Sequence, residues 1–224
     1  MNNEMARIGT EGLAFFSKTN RLISHELKNV LAIISETMGL IEELSAMAAE
    51  GADLPPGKVK SLSESILEEI GRANRIIRGM NDFAHQVDQF LEEIDLTQSV
   101  PLIIDLAGLD ANVKKITFQL GAADPCQAYT SPFFLNALIF RLIRGYAGQA
   151  SPDSIIRVDF TADETSAGIV FAGLQPELLA DFPTTEQQFL ADLLQARLTL
   201  AEKDSKLKIS IPKLLDKSIL EVFL

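Results

Sequence analysis

Residues 23–34, ISHELKNVLAII, set a histidine, a carboxylate and a carboxamide within one helical turn of each other. A neutral imidazole is a nucleophile or a proton carrier near physiological pH. On a helix Asn29 stands at i+4 from His25, close enough for its amide to hold a water beside the ring. Glu26 and Asn29 are also residue types common on any exposed helix face. The chain has only two histidines and one cysteine, so His25, His85 and Cys126 cannot make a structural zinc site or an internal disulfide. Cys126 follows Asp124-Pro125 without a neighbouring histidine, and no Gly-x-Ser-x-Gly elbow exists, which excludes the familiar hydrolase nucleophiles. His85 reads as a surface or interface residue.

Charge around the histidine runs against the rest of the chain. With 20 Lys+Arg against 31 Asp+Glu the net charge is -11, which argues against a nucleic-acid partner. Yet Lys18, Arg21 and Lys28 flank His25, and Arg72, Arg75 and Arg78 recur on a second helical segment. Folding the two segments about residue 54 sets His25 opposite position 83 and these arginines a few turns towards the loop. They form a basic zone suited to an acidic partner, or a solvated face pairing with Glu68 and Glu69.

What must position these groups is a pair of long helices. Residues 8–50 contain no proline, and Phe16, Ile23, Leu27, Val30, Ile34, Ile41, Leu44 and Ala48 alternate steps of three and four, with Asn20 and Thr37 in two slots. With Leu27 at position a, His25 takes position f, outermost of the heptad. GADLPPG, residues 51–57, stops the helix. A second seam runs through Val59, Leu62, Ile66, Ile70, Ala73, Ile77, Met80, Ala84, Val87, Leu91 and Ile94. The result is an antiparallel hairpin. Leu31, Ile33, Met38, Leu40 and Met47 widen its apolar stripe beyond what two helices cover, so a homodimeric four-helix bundle is expected.

Beyond residue 95 helix and strand alternate. A helix capped by residues 97–99 is expected to run to about Asn112, a strand over 115–121, a helix from Pro132, a hairpin of 154–162 with 165–173, a helix over about 185–203, and strands near 206–211 and 218–224. The fold class is α+β, with domains 1–95 and 96–224. No run of 18 apolar residues and no basic leader is present, giving the expectation of a cytoplasmic, membrane-free protein.

His-Glu-Leu-Lys-Asn followed by an apolar run resembles the phosphoacceptor motif of sensor histidine kinases, with Val30 where the family commonly has proline. The resemblance extends to the order of a helical dimerisation hairpin and an α/β ATP-binding domain. It implies that His25 accepts phosphate, that Glu26 orients the ring or takes its proton, and that Asn29 sits at the position linked to dephosphorylation of the partner. The partner implied is a response-regulator receiver domain, acidic and bringing its own Mg²⁺.

The ATP half of the resemblance fails at three places. Arg141 and Gly145 stand where the family has asparagines that hold Mg²⁺, leaving no amide oxygen for the metal. LQPELLADF follows the strand GIVFAG where the adenine loop would begin. No glycine occurs after Gly173, so no second phosphate loop can form. The resemblance then implies a degenerate ATP-binding-like sandwich, no nucleotide or cofactor in this chain, and a histidine phosphotransferase of a bacterial phosphorelay. A noncatalytic pseudokinase regulator or response-regulator phosphatase, and an active sensor kinase, remain as alternatives.

Overall fold

The computed structural model describes residues 2–215 apart from 54, 56, 87, 89, 111, 112 and 123. The expected strand at 218–224, the seam residue Val87 and the expected helix end at Asn112 lie outside these. Among the described residues, five α-helices and seven strands make a mixed α+β fold. Helix α1 spans Asn2–Ala49 and α2 spans Lys58–His85. Forty-eight residues make a helix of about 72 Å. Gly51 and Gly57 bracket the turn with φ of 89° and 78°, a conformation that glycine takes without strain. No helix among the described residues is long and apolar enough to cross a membrane.

The chain divides into two compact units, Asn20–Asp82 and Met1–Thr19 with Phe83–Leu224. In the first, Ile23 and Val30 are buried as the periodicity predicts, but Leu27 is half-buried and Glu26 takes the inward place beside it. On α2, Ile76 is buried while Ile70 and Ile77, expected in the seam, are exposed. At Glu26 and Ile76 the inward position lies one residue before the one read from apolar spacing, while Ile23, Val30 and Thr37 keep it. A charged pair between the helices takes up the displaced position on α1, as described below. Leu31, Ile33, Met38, Leu40 and Met47 on α1, with Val59, Leu67, Ile70 and Ile77 on α2, stay exposed.

The second unit contains both ends of the helical pair. Phe15 is 3% exposed and its ring lies 5.2–5.3 Å from those of Phe83, Phe133 and Phe140. Gly12 permits this approach, since a Cβ there would stand 3.3 Å from the Phe133 ring. Arg7 lies over the Phe189 ring and donates to the Thr185 carbonyl, and Glu11 pairs with Arg141. Residue 95 falls inside this unit. The aromatic cluster ties the start of α1 and the end of α2 to the α/β fold, so the division lies at residues 19 and 82.

Strand β1 (Glu92–Asp95) pairs antiparallel with β3 (Gln127–Thr130). Ile94, expected at the end of the second seam, belongs to β1, because α2 ends at His85. Asp95 caps α3 (Leu96–Ala107), accepting from the backbone N–H of Thr97, and α3 ends five residues short of the expected Asn112. The main sheet runs β2 (Thr117–Leu120), β4 (Ile155–Ala162), β5 (Ser166–Ala172), β7 (Lys206–Pro212) and β6 (Arg197–Ala201), with β2 parallel to β4 and the other pairs antiparallel. The β4 hairpin partner is β5 (Ser166–Ala172), joined across an Asp163 turn as expected. Helix α4 spans Pro132–Ala147, and its Leu135, Leu138 and Ile139 are fully buried, as are Val158, Ile169 and Ile209 of the sheet.

The expected helix over 185–203 is instead α5 (Thr185–Leu193) followed by β6 (Arg197–Ala201), which pairs with β7 (Lys206–Pro212). RLTLA alternates, with Leu198 and Leu200 half-buried and Arg197 and Thr199 exposed. Period two wins over period 3.6 once a neighbouring strand is available. The glycine-free stretch still needs left-handed backbone, at Gln195 and Ser205, both with φ of 51°. Each costs about 1 kcal/mol over glycine.

Candidate functional site

His25, Glu26 and Asn29 lie on α1 within the hairpin unit. The His25 ring is exposed, whereas Glu26 is 2% exposed. A residue neighbouring an outward histidine on a helix is rotated by about 100° from it, which turns Glu26 towards α2. There it meets Arg72, whose Nη2 pairs with Glu26 Oε1 and whose Nη1 lies 3.3 Å from Glu69 Oε2. The remaining Glu26 oxygen, Oε2, is 3.4 Å from Asn29 Nδ2, and that same nitrogen is 3.3 Å from His25 Nδ1. A continuous polar chain therefore runs from Glu69 through Arg72, Glu26 and Asn29 to the imidazole.

The helices meet in a register different from a mirror at residue 54. Phe15 contacts Phe83 and Glu26 contacts Arg72, pairs both centred on residue 49. Arg72 thus lies across from Glu26 and not a few turns towards the loop. Of the basic residues, Arg21, Lys28, Arg75 and Arg78 are exposed in the hairpin unit, while Arg72 is 34% exposed and committed to two carboxylates. Lys18 is half-buried and belongs to the other unit. The Glu26 and Arg72 pairing was the site feature missed from sequence. Its signal is a glutamate three residues after Ile23 and four before Val30, an inward slot that demands a cation opposite.

In the α/β unit Arg141 and Gly145, which the sequence resemblance set against metal-binding asparagines, have other neighbours. Arg141 pairs with Glu11, and Gly145 lines a cavity of about 150 Å³ together with Tyr146, Gln149, Glu177, Asp181 and Gln187. Asn136, on the same helix, is 1% exposed and its amide donates to Gln86 Oε1 at 2.6 Å. Among the described residues no group of three or more His, Cys, Asp or Glu side chains could hold a metal. Cys126 is buried, with Sγ 3.4 Å from the Thr161 carbonyl, and burial pushes its thiol up, away from the reactive thiolate.

No protein-family model matches this sequence. No curated protein matches it. Similar solved structures include the Acinetobacter baumannii histidine kinase AdeS, at 14% identity and a TM-score of 0.43, covering 84% of this chain and 98% of that one. A histidine kinase from Burkholderia phymatum is similar at 13% identity and a TM-score of 0.42, covering 88% of this chain and 98% of that one. The ATP-binding domain of PrrB from Mycobacterium tuberculosis is similar at 11% identity and a TM-score of 0.45, covering 56% of this chain and 98% of that one.

Proposed function

We propose that this chain is a histidine phosphotransferase of a two-component phosphorelay, carrying phosphoryl between receiver-domain aspartates on His25 without binding ATP. The observation that carries the reading is the exposed His25 ring within a phosphoacceptor-like motif, held at Nδ1 by Asn29. In the transfer a ring nitrogen attacks phosphorus, the bond from phosphorus to the aspartyl oxygen breaks, and the aspartate leaves as carboxylate. Such loose transfers depend on alignment and charge stabilisation, and the receiver's Mg²⁺ supplies the latter. Arg21, Lys28, Arg75 and Arg78 offer exposed positive charge to an acidic receiver surface. Arg72 leaves the expected docking set, because its guanidinium is used inside the hairpin.

Several features support loss of nucleotide binding. The cavity beside Gly145 holds about 150 Å³, below the roughly 300–1,000 Å³ of typical ligand clefts. Glu177 and Asp181 on its wall would repel a triphosphate. Arg141 carries a cation where a metal would need an anionic or neutral oxygen. The exposed apolar residues of both hairpin helices support pairing with a second copy into a four-helix bundle.

A second reading, a response-regulator phosphatase, rests on Asn29, whose amide stands within hydrogen-bonding reach of the histidine and could hold a water there. Incubation with a phosphorylated receiver domain separates the two. A phosphotransferase acquires acid-labile label on His25 and loses all relay as His25→Ala; a phosphatase releases inorganic phosphate without labelled protein. Labelling of the chain by radiolabelled ATP alone would instead make it a kinase.

A further inference from the structure

We propose that Arg72 is a positioning residue for His25, acting from the second helix through Glu26 and Asn29. The inference rests on the reading of His25 as the reactive group and deepens it. Glu26 is almost wholly buried, so its carboxylate needs a cation, and Arg72 provides one while bracing itself on Glu69. A planar guanidinium joined to two carboxylates has little freedom to turn. Glu26 Oε2 is thereby fixed 3.4 Å from the Asn29 amide nitrogen.

That contact decides which end of the amide faces the histidine. A carboxylate oxygen accepts only, so the Asn29 NH₂ turns towards it; the reversed amide would set two acceptors against each other. The NH₂ group has two hydrogens, and its second partner is His25 Nδ1 at 3.3 Å. Nδ1 is then an acceptor, and the neutral ring carries its proton on Nε2. Arg72 thus fixes the carboxylate, the carboxylate fixes the amide, and the amide fixes the tautomer and rotation of an otherwise exposed ring. Opening the Nε2 lone pair to phosphorus requires the proton on Nδ1 and the amide turned to accept it. The braced Glu26 opposes that turn, so the chain of contacts holds the histidine in a resting tautomer.

The test is ¹⁵N NMR of the imidazole rings in the full chain, with His85 as internal reference. In the unmodified protein His25 shows the Nε2–H tautomer. Glu26→Gln presents either an acceptor or a donor to Asn29, and gives His25 a mixture of both tautomers. Arg72→Lys keeps the charge, loses the fork, and moves His25 in the same direction. Arg75→Gln leaves both rings unchanged. A His25 spectrum unaltered in both Glu26→Gln and Arg72→Lys overturns the proposal. In transfer from a phosphorylated receiver, Glu26→Gln raises the maximal rate about fivefold at unchanged half-saturation; for Arg72→Lys, a changed half-saturation at unchanged maximal rate would make Arg72 a docking residue and overturn the proposal. Absence of any transfer by the unmodified protein would sink the phosphotransferase reading, while the NMR arm would still decide the role of Arg72.

Discussion

The two units of this chain distribute polar and apolar groups in opposite ways. The α/β unit buries Leu135, Leu138, Ile139, Val158, Ile169 and Ile209 completely and sends Arg157, Arg197, Lys206 and Lys208 outward. The hairpin unit buries a glutamate and leaves Leu31 at 62% and Leu67 at 64% exposure. The first arrangement is a layered apolar core, with apolar exposure left at single positions such as Leu13, Ile155 and Leu214. The second is organised around a charged network and keeps apolar side chains exposed along both helices. The proposed phosphoacceptor, His25, lies in the unit built around the charged network and not in the one built around an apolar core.

Substitutions can break this contrast or sharpen it. Ile169→Ala, in the centre of the sheet, removes a fully buried side chain and lowers stability by about 3–4 kcal/mol in denaturant unfolding. A loss below about 1 kcal/mol would mean that the α/β core is not closed. Arg72→Ala strands the buried Glu26 charge and costs about 2–3 kcal/mol, less than a fully buried pair because Arg72 is 34% exposed. Hydrogen exchange across residues 20–82 should register the loss, with little change in the sheet. Leu31→Glu together with Leu67→Glu leaves the fold of the chain intact and shifts sedimentation from dimer to monomer; an unchanged dimer would place self-association on another surface.

The smallest expected effect concerns acid. Burial pulls the Asp95 carboxyl up, but hydrogen bonds from the Thr97 side chain and backbone, the Cys126 backbone and Gln98 outweigh it and hold the group below the usual aspartate range. A carboxyl with a folded value below its unfolded one stabilises above roughly pH 4 and loses that contribution as pH falls through the folded value. Asp95→Ala should therefore cost about 1 kcal/mol at pH 7, with the difference from the unmodified protein narrowing below pH 4. Parallel thermal melts at pH 7 and pH 3 measure it.

Much of this was legible in the residues. The two helices, the glycine-bracketed turn, the outward histidine and the β4–β5 hairpin follow from periodicity and turn chemistry. What was hidden depended on long-range partners. Glu26 is polar by type and so drops out of an apolar seam, yet Arg72, 46 positions away, makes the buried slot tenable. Phe15 takes the buried place because the rings of Phe83, Phe133 and Phe140 surround it, while Phe16 stacks on Phe83 from a more exposed position. RLTLA became a strand because β7 supplied an edge, which local pattern after a helix could not announce. Arg141 read as an absent metal ligand, and its use as the partner of Glu11 appears only once the start of α1 packs on α4.

In the proposed function His25 receives phosphoryl from an aspartyl phosphate. Incubating the chain with a receiver domain carrying ³²P on its aspartate, without ATP, measures this directly. Acid-labile, base-stable label is expected on the unmodified protein, mapped to His25 and absent from His25→Ala. Unlabelled protein beside an undiminished receiver phosphate, with its cognate receiver, would contradict it.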